Sequence, residues 1–147
     1  MKQPAEALST NSLIKLLERP DAERQLLLGD ALPQALSFAQ QLRALLSARS
    51  MTIPQLILAA DLSRSYTYQL LRSERRPGRD VVLRIALALG LSMEKTQRLL
   101  TVSGNSVLYP KVRRDAALVF ALSRGLSLAE AEELLARLPE KTLYNGG

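Results

Sequence analysis

Within residues 61–80, DLSRSYTYQLLRSERRPGRD, guanidinium, phenol, hydroxyl and carboxamide groups recur at spacings that a helix would gather. Placed at 100° per residue, residues 63–74 put Thr67, Leu70 and Leu71 on one face, with Tyr66 on its flank. Ser65, Tyr68, Gln69 and Arg72 fall on the opposite face, with Arg64 beside them. Side chains of these types break no bonds by themselves. They are donors and acceptors suited to recognising planar polar edges and anions, and Arg and Gln both do so in bidentate fashion. Arg75, Arg76 and Arg79 follow the segment closely. The two tyrosines have different tasks: Tyr66 is expected to pack against neighbouring helices, and Tyr68 to stand in the polar stripe between arginines.

Reaction chemistry is poorly supplied. The chain has no His, the commonest general base near neutral pH, and no Cys, so thiolate catalysis, disulfides and cysteine metal sites are excluded. Two Ser-x-x-Lys triplets, SLIK (12–15) and SMEK (92–95), match one element of serine acyl-enzymes. Both fall at helix starts, where the Ser caps and the Lys faces water, and the rest of that constellation is missing. No Gly-rich phosphate loop and no carboxylate cluster at metal-ligand spacing is present. The expectation is a protein that is not an enzyme and uses no cofactor or metal.

The elements that must position these groups read as helices throughout. Apolar residues recur at three- and four-residue steps, Leu and Ala dominate, and no segment alternates as a strand would. An all-α fold is expected. Residues 1–35 form a short N-terminal helical arm in which STNSLIKLLERP stops at Pro20 and DAERQLLLGD at Gly29. The central unit opens with QALSFAQQLRALLSARS, with Phe38, Leu42, Leu45 and Leu46 inward. A second helix starts at TIPQ, where Thr52 and Gln55 have capping-box spacing and Pro54 is tolerated in the first turn. Ser63 caps a third helix running to about Ser73. A fourth spans about Gly78 to Leu89, with Gly90 as a left-handed stop, and Ser92 starts a fifth that ends near Gly104.

Residues 79–110 align without gaps on 114–145 at an offset of 35, with 12 identities in 32 positions. Leu-rich helices resemble one another cheaply, but Arg79/Arg114, Asp80/Asp115, Gly90/Gly125, Ser92/Ser127 and Tyr109/Tyr144 also fix helix starts, stops and caps. The last third is therefore a duplicated helical hairpin. One copy is expected to close the central unit and the second to stack behind it.

Charge is distributed unevenly. Residues 1–36 hold four basic and five acidic groups, 37–103 ten and four, and 104–147 six and five, so the whole net charge of +6 resides in the middle segment. A basic segment is the footprint of a polyanion binder, or else a solvated face. No apolar run approaches the length of a membrane span, and the N-terminus lacks a signal-peptide core, so a cytoplasmic protein without membrane partners is expected.

MTIPQLILAADLSRSYTYQLLRSERRPGRDVVLRIALALGLS resembles the helix-turn-helix domain of the Cro and phage-repressor type, the Xre family of bacterial regulators. The matching residues are Thr52, Leu56, Leu62, Ser63, Pro77, Leu83, Ile85, Ala86, Ala88, Leu89 and Gly90, and the likeness covers about residues 36–104. It implies a five-helix domain followed by the added hairpin of 105–147. It also implies transcription regulation by binding double-stranded DNA, with helix 63–73 in the major groove. On that footing Arg64, Ser65, Tyr68, Gln69 and Arg72 are candidate base contacts. Arg pairs with guanine O6 and N7, and Gln with adenine. Thr52, Gln55, Arg75, Arg76 and Arg79 are candidate phosphate contacts, which set register without reading sequence. Three positions depart from the family pattern. Ile53 replaces a polar Gln, and Asp61 and Ser73 stand where Gly, suited to positive φ, is usual.

A homodimer is expected, because paired half-sites multiply the specificity of one helix in one groove. The second hairpin is either its contact surface, an effector or protein-partner surface, or simply core. An alternative of another class keeps the fold but uses the basic face, Tyr68 included, to bind an acidic protein, as an antitoxin or adaptor would.

Overall fold

The computed structural model describes residues 11, 14, 15, 18 and 36–144. The chain divides into two compact units, Met1–Leu36 and Ser37–Gly147. In the first, residues 11, 14 and 15 are helical and the Glu18 N–H donates to the Ile14 carbonyl at 3.0 Å. The rest of the expected arm, including the stops at Pro20 and Gly29, lies outside the described residues.

The second unit is all-helical and holds both the expected central unit and the C-terminal hairpin. Its helices are α1 (Phe38–Ala48), α2 (Ile53–Ala60), α3 (Arg64–Leu71), α4 (Arg79–Leu89), α5 (Met93–Val102), α6 (Arg113–Ser123) and α7 (Leu128–Arg137). Five of these begin at a Ser or Thr whose hydroxyl oxygen accepts a backbone N–H three residues on: Ser37, Thr52, Ser63, Ser92 and Ser127. The expected Thr52–Gln55 capping box forms, and another at Ser37–Gln40 sets the start of α1 at Phe38, four residues past Gln34.

Helices α1 to α6 end in one way. A residue in the left-handed region follows the last turn, and the next N–H reaches back to a carbonyl five residues earlier. At α4 this residue is Gly90 (φ +62), with the Leu91 N–H on the Ala86 carbonyl at 3.0 Å. At α1, α2 and α3 it is Ser50, Asp61 and Ser73, with φ of +50°, +53° and +58°. The two non-glycine departures in the turn chemistry therefore adopt the glycine conformation and carry its steric cost.

Three carbonyl ends are also held by arginines from elsewhere in the fold. Arg43 donates to the Leu71 carbonyl (3.3 Å), Arg49 to the Leu89 carbonyl (2.8 Å), and Arg84 to the carbonyls of Ala60 (3.0 Å) and Asp61. Cations at helix C-termini satisfy orphan acceptors and oppose the negative dipole end. Part of the basic surplus of the middle segment is thus structural.

At the centre of the core lies α4, with Val82, Leu83, Ile85 and Ala86 fully buried, packed against α2 on one side and α5, α6 and α7 on others. Phe38, Leu42 and Leu46 of α1 are buried as expected, and Leu45 packs half-exposed at the margin.

Both copies of the duplicated hairpin fold alike. Gln97 exchanges two hydrogen bonds with the Leu108 backbone (2.8 and 2.9 Å), and its repeat equivalent Glu132 accepts the N–H groups of Leu143 (2.6 Å) and Tyr144 (2.9 Å). The guanidinium of Arg79 binds the carbonyls of Ser106 and Val107, and that of Arg114 binds those of Lys141 and Thr142, 35 residues on in each case. Between copies the contacts are reciprocal. Arg79 forms a bidentate pair with Asp115 (3.0 and 2.8 Å), and Arg114 one with Asp80 (3.0 and 3.1 Å). Likewise α4 meets α7 while α5 meets α6. When residue x of one copy meets y of the other and y meets x, the copies are related by a two-fold rotation. The second hairpin therefore packs against the first about a local two-fold axis.

Candidate nucleic-acid interface

Helix α3 is fixed from its inner side. Thr67 is fully buried and spends its hydroxyl on the Ser63 carbonyl at 2.7 Å, while Leu70 and Leu71 enter the core. That anchoring determines what faces out. Arg64, Ser65 and Arg72 are exposed, and Tyr68 and Gln69 are half-buried on the flank. All five residues expected on the polar face lie on the solvent side, although Tyr68 projects less than the wheel suggested. Its ring lies beneath the Arg64 guanidinium, 5.6 Å from the ring centroid. A cation over an aromatic face is held in orientation with its edge N–H donors still available.

Tyr66 occupies the half-buried place expected of it, packed on the core, with the Arg75 guanidinium 5.9 Å from its ring centroid. Burial raises the Tyr66 phenol above its ordinary value, against the opposing fields of Arg75 and Arg84. The phenol stays neutral across the physiological range and serves packing.

Arg72 is not free. It forms an exposed ion pair with Glu74, whose carboxyl the Arg72 hydrogen bond holds below the usual range. Among the described residues Arg64, Arg75 and Arg76 have no ion-pair or hydrogen-bond partner, and all three are exposed. Arg76 lies along the end of α5, where a methyl group on Gly104 would come within 3.2 Å of its guanidinium. A shallow cavity of about 290 Å³ opens beside Arg75 and Arg76, between Ser37, Phe38, Leu70, Pro77 and Val102.

Arg79, unlike Arg75 and Arg76, is engaged within the fold. Its guanidinium makes four hydrogen bonds, two to Asp115 and one each to the Ser106 and Val107 carbonyls, and its side chain is 24% exposed. It is a brace tying the start of α4 to the 106–107 backbone and to Asp115 of α6. Burial alone would raise the Asp115 carboxyl. The Arg79 hydrogen bonds, the Tyr109 N–H and the fields of Arg79 and Arg114 outweigh it and hold that carboxyl below its ordinary value. Sequence reasoning missed this brace, although a signal existed: the dipeptide Arg-Asp stands at the same place in both repeats.

At the start of α2, Thr52 and Gln55 are exposed and their oxygens are engaged with each other's backbone N–H groups (2.9 and 3.2 Å). With the Gln55 carbonyl oxygen turned inward, its amide NH₂ points away from the cap. The Thr52 hydroxyl proton is likewise uncommitted, so this turn has hydrogen-bond donors to offer.

Among the described residues no group of three His, Cys, Asp or Glu side chains could hold a metal ion, and no helix is long and apolar enough to cross a membrane. Comparison with protein-family models, with curated proteins and with solved structures finds no match to this chain.

Proposed function

We propose that this chain is a sequence-specific double-stranded DNA-binding protein, a bacterial transcriptional regulator of the Xre type. In this reading α2 and α3, joined by the three-residue turn at Asp61–Ser63, are its helix-turn-helix, and α3 enters the major groove. The observation that carries it is the two-sidedness of α3. Thr67, Leu70 and Leu71 lock one side into the core, while Arg64, Ser65, Tyr68 and Gln69 present donors and acceptors on the other. A major groove admits one α-helix and offers a distinct donor–acceptor pattern for each base pair.

Roles follow from what each group has free. Arg64, oriented on the Tyr68 ring, offers paired N–H donors to guanine, and Gln69 and Ser65 contact neighbouring base edges. Arg72 joins them only after exchanging Glu74 for a nucleic-acid acceptor. The donors of Thr52 and Gln55, with the unpaired Arg75 and Arg76, meet phosphates. Arg79 holds the start of α4 in place from behind. The protein acts as a homodimer on paired half-sites.

Selection of bound fragments from a random duplex pool tests the proposal. It should return a short motif that contains guanine, is repeated with two-fold symmetry and is bound with an affinity that falls steeply with salt. A chain that leaves every duplex unbound at low salt, yet binds an acidic protein, would be a protein-interaction module instead.

A further inference from the structure

The direction in which α3 leaves α2 is set largely at one residue. Asp61 stands at φ +53° and ψ +54°, a left-handed conformation that is strained for any residue with a Cβ. The carbonyls on either side of that strained residue's backbone, those of Ala60 and Asp61, both accept from the Arg84 guanidinium, the first at 3.0 Å. Arg84 projects from the middle of α4, is half-buried, and forms no ion pair among the described residues. Its guanidinium also lies over the ring of Tyr144, 5.7 Å from the centroid. Tyr144 is in turn held from the second hairpin: its N–H and that of the fully buried Leu143 both donate to the Glu132 carboxylate of α7. At the 35-residue offset Tyr144 corresponds to Tyr109 and Arg84 to Val119, so the arginine stands only in the copy packed against α2. A chain of contacts thus runs from α7 through Tyr144 and Arg84 to the turn before α3.

We propose that Arg84 is a positioning residue for DNA recognition, and that the second hairpin acts on α3 through it. The guanidinium clamps the two carbonyls that flank the Asp61 backbone, so the turn keeps one geometry and α3 keeps one angle to α2. Tyr144 restricts where that guanidinium sits. The recognition role rests on the DNA-binding reading of α3; the coupling of hairpin to turn does not. A planar fork holds two acceptors at a set separation, which a single ammonium group does not. Discrimination by Arg64 and Gln69 requires their paired polar atoms in register with base edges. Attraction of the exposed Arg75 and Arg76 to phosphates depends on distance more than on angle. Loosening the clamp therefore removes specificity first and leaves general affinity for duplex nearly intact. The added hairpin contributes to recognition through this clamp.

Affinities of the full chain for the selected motif and for random duplex test the proposal. Arg84→Met and Arg84→Lys should each lower the motif-to-random ratio by about tenfold, within the range of one bidentate base contact, because neither side chain forms the fork. Tyr144→Ala should lower it by about two- to fivefold, the factor of one exposed cation–π contact. Tyr144→Phe keeps the ring and should leave the ratio at its wild-type value. Amide exchange reads the turn directly. The Leu62 N–H closes it on the Ile57 carbonyl at 3.0 Å, and the Leu91 N–H closes the like turn after α4 on the Ala86 carbonyl, also at 3.0 Å. Relative to Leu91, Leu62 should exchange faster in Arg84→Met and Tyr144→Ala, and at the wild-type rate in Tyr144→Phe. Equal losses on both duplexes, or equal loss of protection at both amides, in Arg84→Met would make Arg84 a stability residue only and overturn the proposal. So would a wild-type ratio or wild-type Leu62 exchange in Tyr144→Ala. A wild-type chain that leaves every duplex unbound refutes the DNA reading and the recognition role with it. Faster Leu62 exchange in Tyr144→Ala would then still uphold the coupling of hairpin to turn, and unchanged exchange would end that as well.

Discussion

Replacing Arg79 with Ala separates two roles that the sequence left together. As a phosphate ligand, Arg79 would contribute to DNA affinity and little to folding. As the brace seen here, it does the reverse. The substitution removes four hydrogen bonds and leaves Asp115, whose side chain is only 6% exposed, with the Tyr109 N–H as its remaining direct donor. Stripping one partner from a buried pair costs about 3–5 kcal/mol. Arg79 is about one-quarter exposed, so water replaces part of what is lost, and about 3 kcal/mol is the reasoned value. In a unit of this size, with about 4 °C per kcal/mol, the melting temperature should fall by roughly 10 °C. The penalty has a pH signature. The folded-state value of Asp115 is lowered, so its contribution is fully present above the unfolded carboxylate value near ~3.9 and is lost as pH falls below it. The difference between wild type and Arg79→Ala should therefore be largest at neutral pH and shrink in acid. Urea denaturation at pH 7 and pH 3.5 measures both quantities, and a salt titration of DNA binding measures the third. Unchanged stability at pH 7, combined with a salt slope reduced by about one, would refute the brace and restore Arg79 to the phosphate contacts.

Three further substitutions address the site itself. Ser73→Gly should stabilise the fold by about 1 kcal/mol in thermal denaturation, because it relieves a side chain at φ +58; a loss of stability would mean that the Ser73 side chain has a role not apparent in its contacts. Arg64→Ala should weaken binding to the selected motif by about 1–3 kcal/mol, with much less loss on random duplex and an unchanged melting temperature. Equal losses on both duplexes would remove Arg64 from base readout. Arg76→Ala should lower affinity for all sequences alike and reduce the salt slope by about one, as titrated by fluorescence anisotropy.

What the sequence disclosed, and what it withheld, follows from the range of the interactions concerned. Helix starts were legible because a cap is a local arrangement of three or four residues. Thr52 with Gln55, and Ser63 before Tyr66, formed as their spacing required. The inner face of α3 was legible for the same reason, since a 100° step places Thr67, Leu70 and Leu71 together wherever the helix docks. The arginines were not legible in this way. A guanidinium on a long stem reaches a partner 24 to 40 residues distant, as Arg84 reaches Ala60 and Arg49 reaches Leu89. Composition therefore counts its charge without revealing where it points. The middle segment looked like one basic face, whereas several of its arginines fasten helix ends or form ion pairs, and Arg64, Arg75 and Arg76 are those without an ion-pair or hydrogen-bond partner among the described residues.

The repeat could have disclosed the brace had its symmetry been known. An Arg-Asp pair at equal places in two copies allows two arrangements: each copy's Arg with its own Asp, or an exchange between copies. Adjacent residues on one helix point about 100° apart, which disfavours the first. Exchange requires the copies to face one another, and Arg79–Asp115 with Arg114–Asp80 shows that they do. The same two-fold relation means that the duplicated hairpin has already consumed one self-complementary surface inside a single chain.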